Sequence, residues 1–139
     1  MDQHMMTRVQ EAYQAEYKTF QAFNAPIQNL QANKARLLAQ IQETADVQSE
    51  LALVDESDGA VYKMFGPVLV KQDLDEAKGN TAKRMAFMQG QLASIDKELN
   101  TKRDEQNKSK QKVQQIQELF TNAQNELRAR AAAQASSAQ

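Results

Sequence analysis

Between Met6 and Leu51 the apolar residues keep to one heptad repeat, and a chain patterned this way has few folds open to it. Taking Met6, Tyr13, Phe20, Ile27, Lys34, Ile41 and Gln48 as position a places Val9, Glu16, Phe23, Leu30, Leu37, Thr44 and Leu51 at position d. Ten of these fourteen positions are apolar, and the exceptions are Glu16, Lys34, Thr44 and Gln48. A seam this narrow calls for one partner helix, wound left-handed. Pro26 falls beside the seam at position g. It removes the amide that would bond the Ala22 carbonyl and crowds that turn, at a cost of about 3 kcal/mol. Because the heptad keeps its phase across Pro26, the pattern predicts a kinked helix and not a stop.

The partner helix lies in the same chain. Asp73-Leu74-Asp75-Glu76 is a helix start, in which Asp73 caps the open amides, Glu76 reaches back, and the acids favour the positive end. Apolar residues then recur at Met85, Met88, Leu92, Ile95 and Leu99, and again at Val113, Ile116, Phe120, Ala123 and Leu127. Lys102, Gln106 and Ser109 fill the seam between the two groups, and this polar middle is predicted to be its weakest part. Helices of about 45–55 residues would be roughly 70–80 Å long. The predicted boundaries make one domain over 1–139, with helix 1 about 3–54, a β-hairpin about 60–72, helix 2 about 73–129, and a disordered tail about 130–139, where the sequence drifts into Ala and Ser.

Composition agrees with a rod more than a ball. Only 4 of the 139 residues are Gly and 2 Pro, aromatics are 6%, and Ala and Gln lead a list of good helix formers. A net charge of −1 with interspersed signs gives no electrostatic case for nucleic acid. The absence of cysteine rules out disulfides and thiolate zinc sites. No apolar run approaches the ~18 residues that span a bilayer, and the amino terminus does not read as a secretory signal. The expectation is a cytoplasmic protein without cofactor, membrane or nucleic-acid partner.

The middle of the chain changes period. Asp55-Glu56-Ser57-Asp58-Gly59 is turn chemistry, and Ala60 to Phe65 and Val68 to Lys71 are short β-favouring runs around Gly66-Pro67. Gly at the first turn position suits a type II′ hairpin. Val61, Lys63 and Phe65 point one way and Tyr62 and Met64 the other, while the second strand is apolar on both sides through Val68, Leu69 and Val70. A lone two-stranded ribbon cannot bury two faces and keeps two open edges. It has to add to other strands, so the chain is expected to be a subunit of an oligomer.

The stretch from Val61 to Lys78 (Val61-Tyr62-Lys63-Met64-Phe65-Gly66-Pro67-Val68-Leu69-Val70-Lys71-Gln72-Asp73-Leu74-Asp75-Glu76-Ala77-Lys78), with Lys83-Arg84 after it and Glu50-Leu51-Ala52-Leu53 before it, closely resembles the beta-type subunits of the prefoldin family. The fold so implied is mainly α: a long antiparallel two-helix coiled-coil hairpin whose central β-hairpin joins an inter-subunit β-barrel platform. The resemblance further implies a hetero-hexamer in which this chain sits with two alpha-type and three further beta-type subunits. Its clients would be nonnative proteins such as actin and tubulin, held without ATP at open helix tips and delivered to a ring chaperonin. Val61, Tyr62, Met64, Phe65, Gly66, Pro67, Val68, Leu69 and Val70 would then carry subunit assembly. Gly79 and Gly90 stand where ordinary helix residues are expected.

If the helices run antiparallel, Met1, Met5, Met6, Val9, Tyr13 and Tyr17 meet Leu119, Phe120 and Leu127 at the end away from the hairpin. Met is flexible and polarizable and suits adaptable apolar contact. Met1, Met5, Met6, Val9, Tyr13, Phe120 and Leu127 are therefore the candidate client contacts, although the same residues would also serve simply to close the coiled coil. His4 is the single histidine, which excludes a Cys–His nucleophile or a histidine metal cluster by count. A catalytic carboxylate pair needs a concave, partly dry pocket that two helices do not offer, so no enzyme is expected. Lys102, Arg103, Lys108, Lys110 and Lys112 alternate with Asp104 and Glu105 as a solvated face, and Asn107-Lys108-Ser109 is a chance glycosylation match. A structural coiled-coil adaptor, with the hairpin merely ending the rod, is the alternative function.

Overall fold

A computed structural model describes residues 3–55, 57 and 59–138. Met1, a candidate client contact, and Glu56 and Asp58 of the turn lie outside them. In chain order the elements are α1 (Gln3–Ala22), α2 (Asn24–Leu53), β1 (Val61–Phe65), β2 (Val68–Gln72) and α3 (Leu74–Ser137). Contacts divide the chain into two units, one of residues 1–28 with 100–139 and the other of residues 29–99.

All fourteen seam positions read from the sequence are buried or half-buried, and between Gln3 and Leu53 every other residue except Ala45 is exposed. In α3 the assigned positions from Met85 to Ala123 are likewise covered, while Leu127 is 38% exposed. A 3.5-residue repeat of large side chains keeps one stripe facing the neighbouring helix, so burial follows the repeat and not the local propensity.

In the first unit α1 runs antiparallel to the carboxyl-terminal part of α3. Ser109 donates its hydroxyl to the Glu16 carboxylate at 2.8 Å, and the Gln106 side-chain amide donates to Asn24 Oδ1 at 2.8 Å. The polar middle of the seam, expected to be its weakest part, is thus bridged by two hydrogen-bonded pairs. Ser109 is only 4% exposed, and a hydroxyl so buried has to find a partner.

The first helix departs from the expected kink. It stops at Ala22, Phe23 is a turn, and α2 begins at Asn24. Restarting there puts Pro26 in the first turn of a helix, where its missing amide has no obligatory partner. The Phe23 amide tightens onto the Phe20 carbonyl at 3.3 Å, and the Ile27 amide reaches the Phe23 carbonyl at 3.2 Å, so the seam crosses the interruption in phase. Gln106 Nε2 also approaches the Phe20 carbonyl, at 3.5 Å.

The tail expected from residue 130 is helical through Ser137. Ala is the strongest helix former, and nothing between Ala131 and Ala135 stops propagation, although every residue there is exposed. Helix 2 is therefore longer than expected, at 64 residues, and runs unbroken through Gly79 and Gly90.

In the second unit α2 and the first part of α3 are also antiparallel: Lys34 Nζ meets Asp96 Oδ1 at 2.7 Å, whereas Leu51 packs with Leu74 and Ala77. The Lys34–Asp96 pair is partly exposed and contributes at most about 1 kcal/mol, more to register than to stability. Asp73 caps α3, accepting the Glu76 amide at 3.4 Å. Ahead of the strands, Asp55 Oδ1 accepts the Ser57 amide at 3.0 Å and the Ser57 hydroxyl at 2.9 Å, which together hold the Asp55 carboxyl below its ordinary pKa. The chain then doubles back so tightly that a Cβ at Gly59 would lie 2.7 Å from Val54 Cγ1 and 3.0 Å from the Asp55 carbonyl oxygen. Only glycine fits that approach.

Ser109→Ala would strand the half-buried Glu16 carboxylate and is expected to lower stability by about 1–3 kcal/mol in urea unfolding followed by far-UV circular dichroism. Glu16→Leu combined with Ser109→Ala removes both polar partners and should recover most of that loss. A Ser109→Ala chain as stable as the parent would show that the pair carries no weight.

Candidate functional site

Two surfaces stand out, one in each unit. The first is the β-hairpin. β1 and β2 pair antiparallel with Val61 opposite Gln72, Tyr62 opposite Lys71, Lys63 opposite Val70, Met64 opposite Leu69 and Phe65 opposite Val68. Gly66 has φ +59° while Pro67 is locked near −65°, and that combination at the two central positions is a type II′ turn.

Side chains opposite each other share a face, so Tyr62, Met64, Leu69 and Lys71 lie on one side, and Val61, Lys63, Phe65, Val68, Val70 and Gln72 on the other. Both sides are apolar and open: Met64 is 70% exposed, Leu69 62% and Phe65 58%. Val61 is anchored, packing with Val54 against Leu51, Leu74 and Ala77. Lys63 places its ammonium 5.2 Å from the centre of the Phe65 ring, a cation–π contact along the strand. Among the described residues neither strand has a second neighbour in the sheet. The hairpin is therefore a sheet with two free edges and two uncovered apolar faces.

The second surface lies between α1 and the carboxyl-terminal part of α3. Val9, Tyr13 and Phe120, with Gln10 and Gln117 at the rim, line a concavity of about 280 Å³. Tyr13 stacks on Tyr17 at 6.0 Å between ring centres and 7° between planes, and Tyr17 leans on Phe20 at 6.2 Å. Met6 is half-buried in the seam, while Met5, Tyr17 and Leu119 are exposed. Of the described candidate contacts, Val9, Tyr13 and Phe120 are brought together, whereas neither Met5, Met6 nor Leu127 lines the concavity. Gln10 and Gln117 were not foreseen. As heptad e residues of two antiparallel helices they flank the same side of the seam, and this follows from the register once the pairing is known.

Among the described residues no group of three His, Cys, Asp or Glu side chains is placed to hold a metal ion, and no helix is long and apolar enough to cross a membrane.

Against this geometry, the family model described as "Prefoldin subunit" matches residues 14–119, most of the chain and both strands. The chain belongs to the prefoldin subunit family. Prefoldin subunit 6 of Bos taurus is 30% identical over 120 residues, covering 86% of this chain and 92% of that protein, and the Homo sapiens subunit 6 matches to the same extent. Prefoldin subunit 6 of Arabidopsis thaliana is 38% identical over 85 residues, covering 61% and 65%. Among solved structures, the crystal structure of the prefoldin beta subunit from Thermococcus strain KS-1 superposes with a TM-score of 0.67 at 19% identity, over 78% of this chain and 91% of that one. The fold is thus the mainly helical prefoldin one, two antiparallel helical arms with a small two-stranded sheet between them in sequence, as the heptads and the central motif predict.

For a prefoldin subunit, the open hairpin gives a direct test of what covers it. Val68→Asp and Leu69→Asp place a carboxylate on opposite faces, and burying either one unpaired in an assembly costs several kcal/mol. Each substitution is expected to lower the mass of the assembled complex in size-exclusion light scattering with far-UV helicity largely intact. Disruption by only one would mean a hairpin with one wet face, and disruption by neither would mean that the hairpin does not assemble.

Proposed function

We propose that this chain is one subunit of a cytoplasmic hetero-hexamer of two alpha-type and four beta-type prefoldin subunits. The complex holds nonnative proteins such as actin and tubulin without ATP and passes them to a ring chaperonin. The observation that carries this reading is the hairpin whose two faces and two edges are uncovered in the single chain, because a sheet of that kind is finished only by strands from other chains. Membership of the prefoldin family supports the choice of partners.

The client contact is assigned to the Val9–Tyr13–Phe120 concavity together with the methionines before it. The rim is neutral, so an apolar segment docks there without desolvating a charge. Met5 is 51% exposed, and its unbranched side chain adapts to surfaces of different shape at little cost. These residues hold and release a client by apolar contact alone, and no bond is made or broken.

The test is aggregation of a chemically denatured client diluted into the purified complex, followed by light scattering in the absence of nucleotide. Deleting residues 1–9 of this chain should leave the mass of the complex unchanged but raise several-fold the amount needed to keep the client soluble. Unchanged holding by the truncated complex would move the client site to other surfaces of the helical arms. A complex that assembles yet never suppresses aggregation would leave the chain a scaffold subunit.

A further inference from the structure

Beside the hairpin, α2 and α3 expose apolar side chains that neither the seam nor the strands use. Val47 is 49% exposed and Phe87 66%, although both are large and apolar. Val47, Thr81 and Arg84 border two adjoining concavities of about 150 and 300 Å³. The larger one is floored by Leu51, Val61 and Ala77 and reaches Tyr62 of β1, so the surface is continuous with the open hairpin. Phe87 follows Arg84 by three residues and so lies beside it on the same face of α3.

Charge narrows what can sit there. Arg84 is exposed and makes no ion pair or hydrogen bond among the described residues. No carboxylate lines the larger concavity, and its other cation, Lys63, holds its ammonium over the Phe65 ring. Glu43 borders the smaller one without pairing with Arg84. A guanidinium beside an apolar floor matches a carboxylate carried next to an apolar side chain, and its planar fork binds a carboxylate through two parallel hydrogen bonds. On the hairpin most of the lining of the larger concavity, Val61, Lys63 and Gln72, belongs to one face, so a neighbour that covers that face meets the concavity.

We propose that the neighbouring subunit covering the Val61, Lys63 and Gln72 face of the hairpin seats an apolar side chain in the concavity between Val47 and Val61 and places an aspartate or glutamate on Arg84. This rests on the hairpin being the assembly element, and it extends the subunit contact from the strands onto the helices. Arg84 then sets which neighbour is accepted, because a subunit lacking the acid would leave the guanidinium desolvated and unpaired.

The experiment uses the whole complex, made by co-expressing this chain with its partner subunits. Arg84→Glu should raise the concentration at which the complex falls apart on dilution, read by native mass spectrometry, about tenfold or more, and Arg84→Lys should do so by less. Helicity should not change, since Arg84 is exposed in the single chain. A benzophenone amino acid at position 47 should photocrosslink to one neighbouring subunit, on a peptide containing Asp or Glu. Val68→Asp is the companion variant. If Val68→Asp breaks the complex while Arg84→Glu leaves it at parental strength, or if position 47 crosslinks to a denatured client, to a second copy of this chain or to nothing, the helix contact is overturned and hairpin assembly stands. If the Val68→Asp complex also forms normally, the assembly reading fails and this proposal falls with it.

Discussion

Two helices that touch along one line can bury a stripe but not a core. Almost everything else about this chain follows from that shortage of interior. A group of mutually packed buried residues, Leu51, Leu74 and Ala77 with Val54 and Val61, lies where the strands meet the helices. Apolar surface that the seam cannot absorb remains outside, on the hairpin and along the flanks, and a surface left that way has to be matched by another molecule.

The stripe also explains why polar residues are tolerated inside it. A carboxylate at a fully enclosed position would be expensive, but Glu16 is only half-buried and meets the Ser109 hydroxyl. Thr44 bonds back to the Gln40 carbonyl at 2.8 Å, and Lys34 reaches Asp96. Two interruptions of the apolar repeat, Glu16 and Lys34, thereby meet a partner on the facing helix, while Thr44 is satisfied within its own. An apolar heptad can slide by one repeat at modest cost, whereas a slide here would unpair several groups together, so the polar positions define register.

How much of this was legible in the sequence depends on how local the cause is. Burial of the seam was legible residue by residue, because a period of 3.5 is written into a single helix and needs no knowledge of its partner. The two-faced hairpin and its turn were legible for the same reason, with Gly66 and Pro67 dictating the turn and alternation dictating the faces. The Ser109–Glu16 and Gln106–Asn24 pairs were not, since they join residues 93 and 82 positions apart and depend on how two distant heptads align. The same alignment decides that Gln10 and Gln117 share a rim, and that the described methionines miss the concavity lined by Val9, Tyr13 and Phe120. At Pro26 the seam kept its phase as the pattern required, but phase says nothing about whether the backbone hydrogen bonds continue. The Ala run after Arg130 is helical although exposed, because alanine favours the helix without needing to pack, and low packing therefore does not signal low helicity there.

Gln106 sits opposite the break in the first helix, with one hydrogen bond to Asn24 on the far side and a longer approach to the Phe20 carbonyl on the near side. It braces from the facing helix the break that accompanies Pro26, so the fates of these two positions are joined across descent. A lineage that exchanged Pro26 for an ordinary helix residue would free position 106 to become leucine or isoleucine. One that lost Gln106 first would carry an unsupported break. Substitution at 26 should therefore precede substitution at 106, and the two columns should change as a pair in a lineage otherwise free to vary along its outer faces.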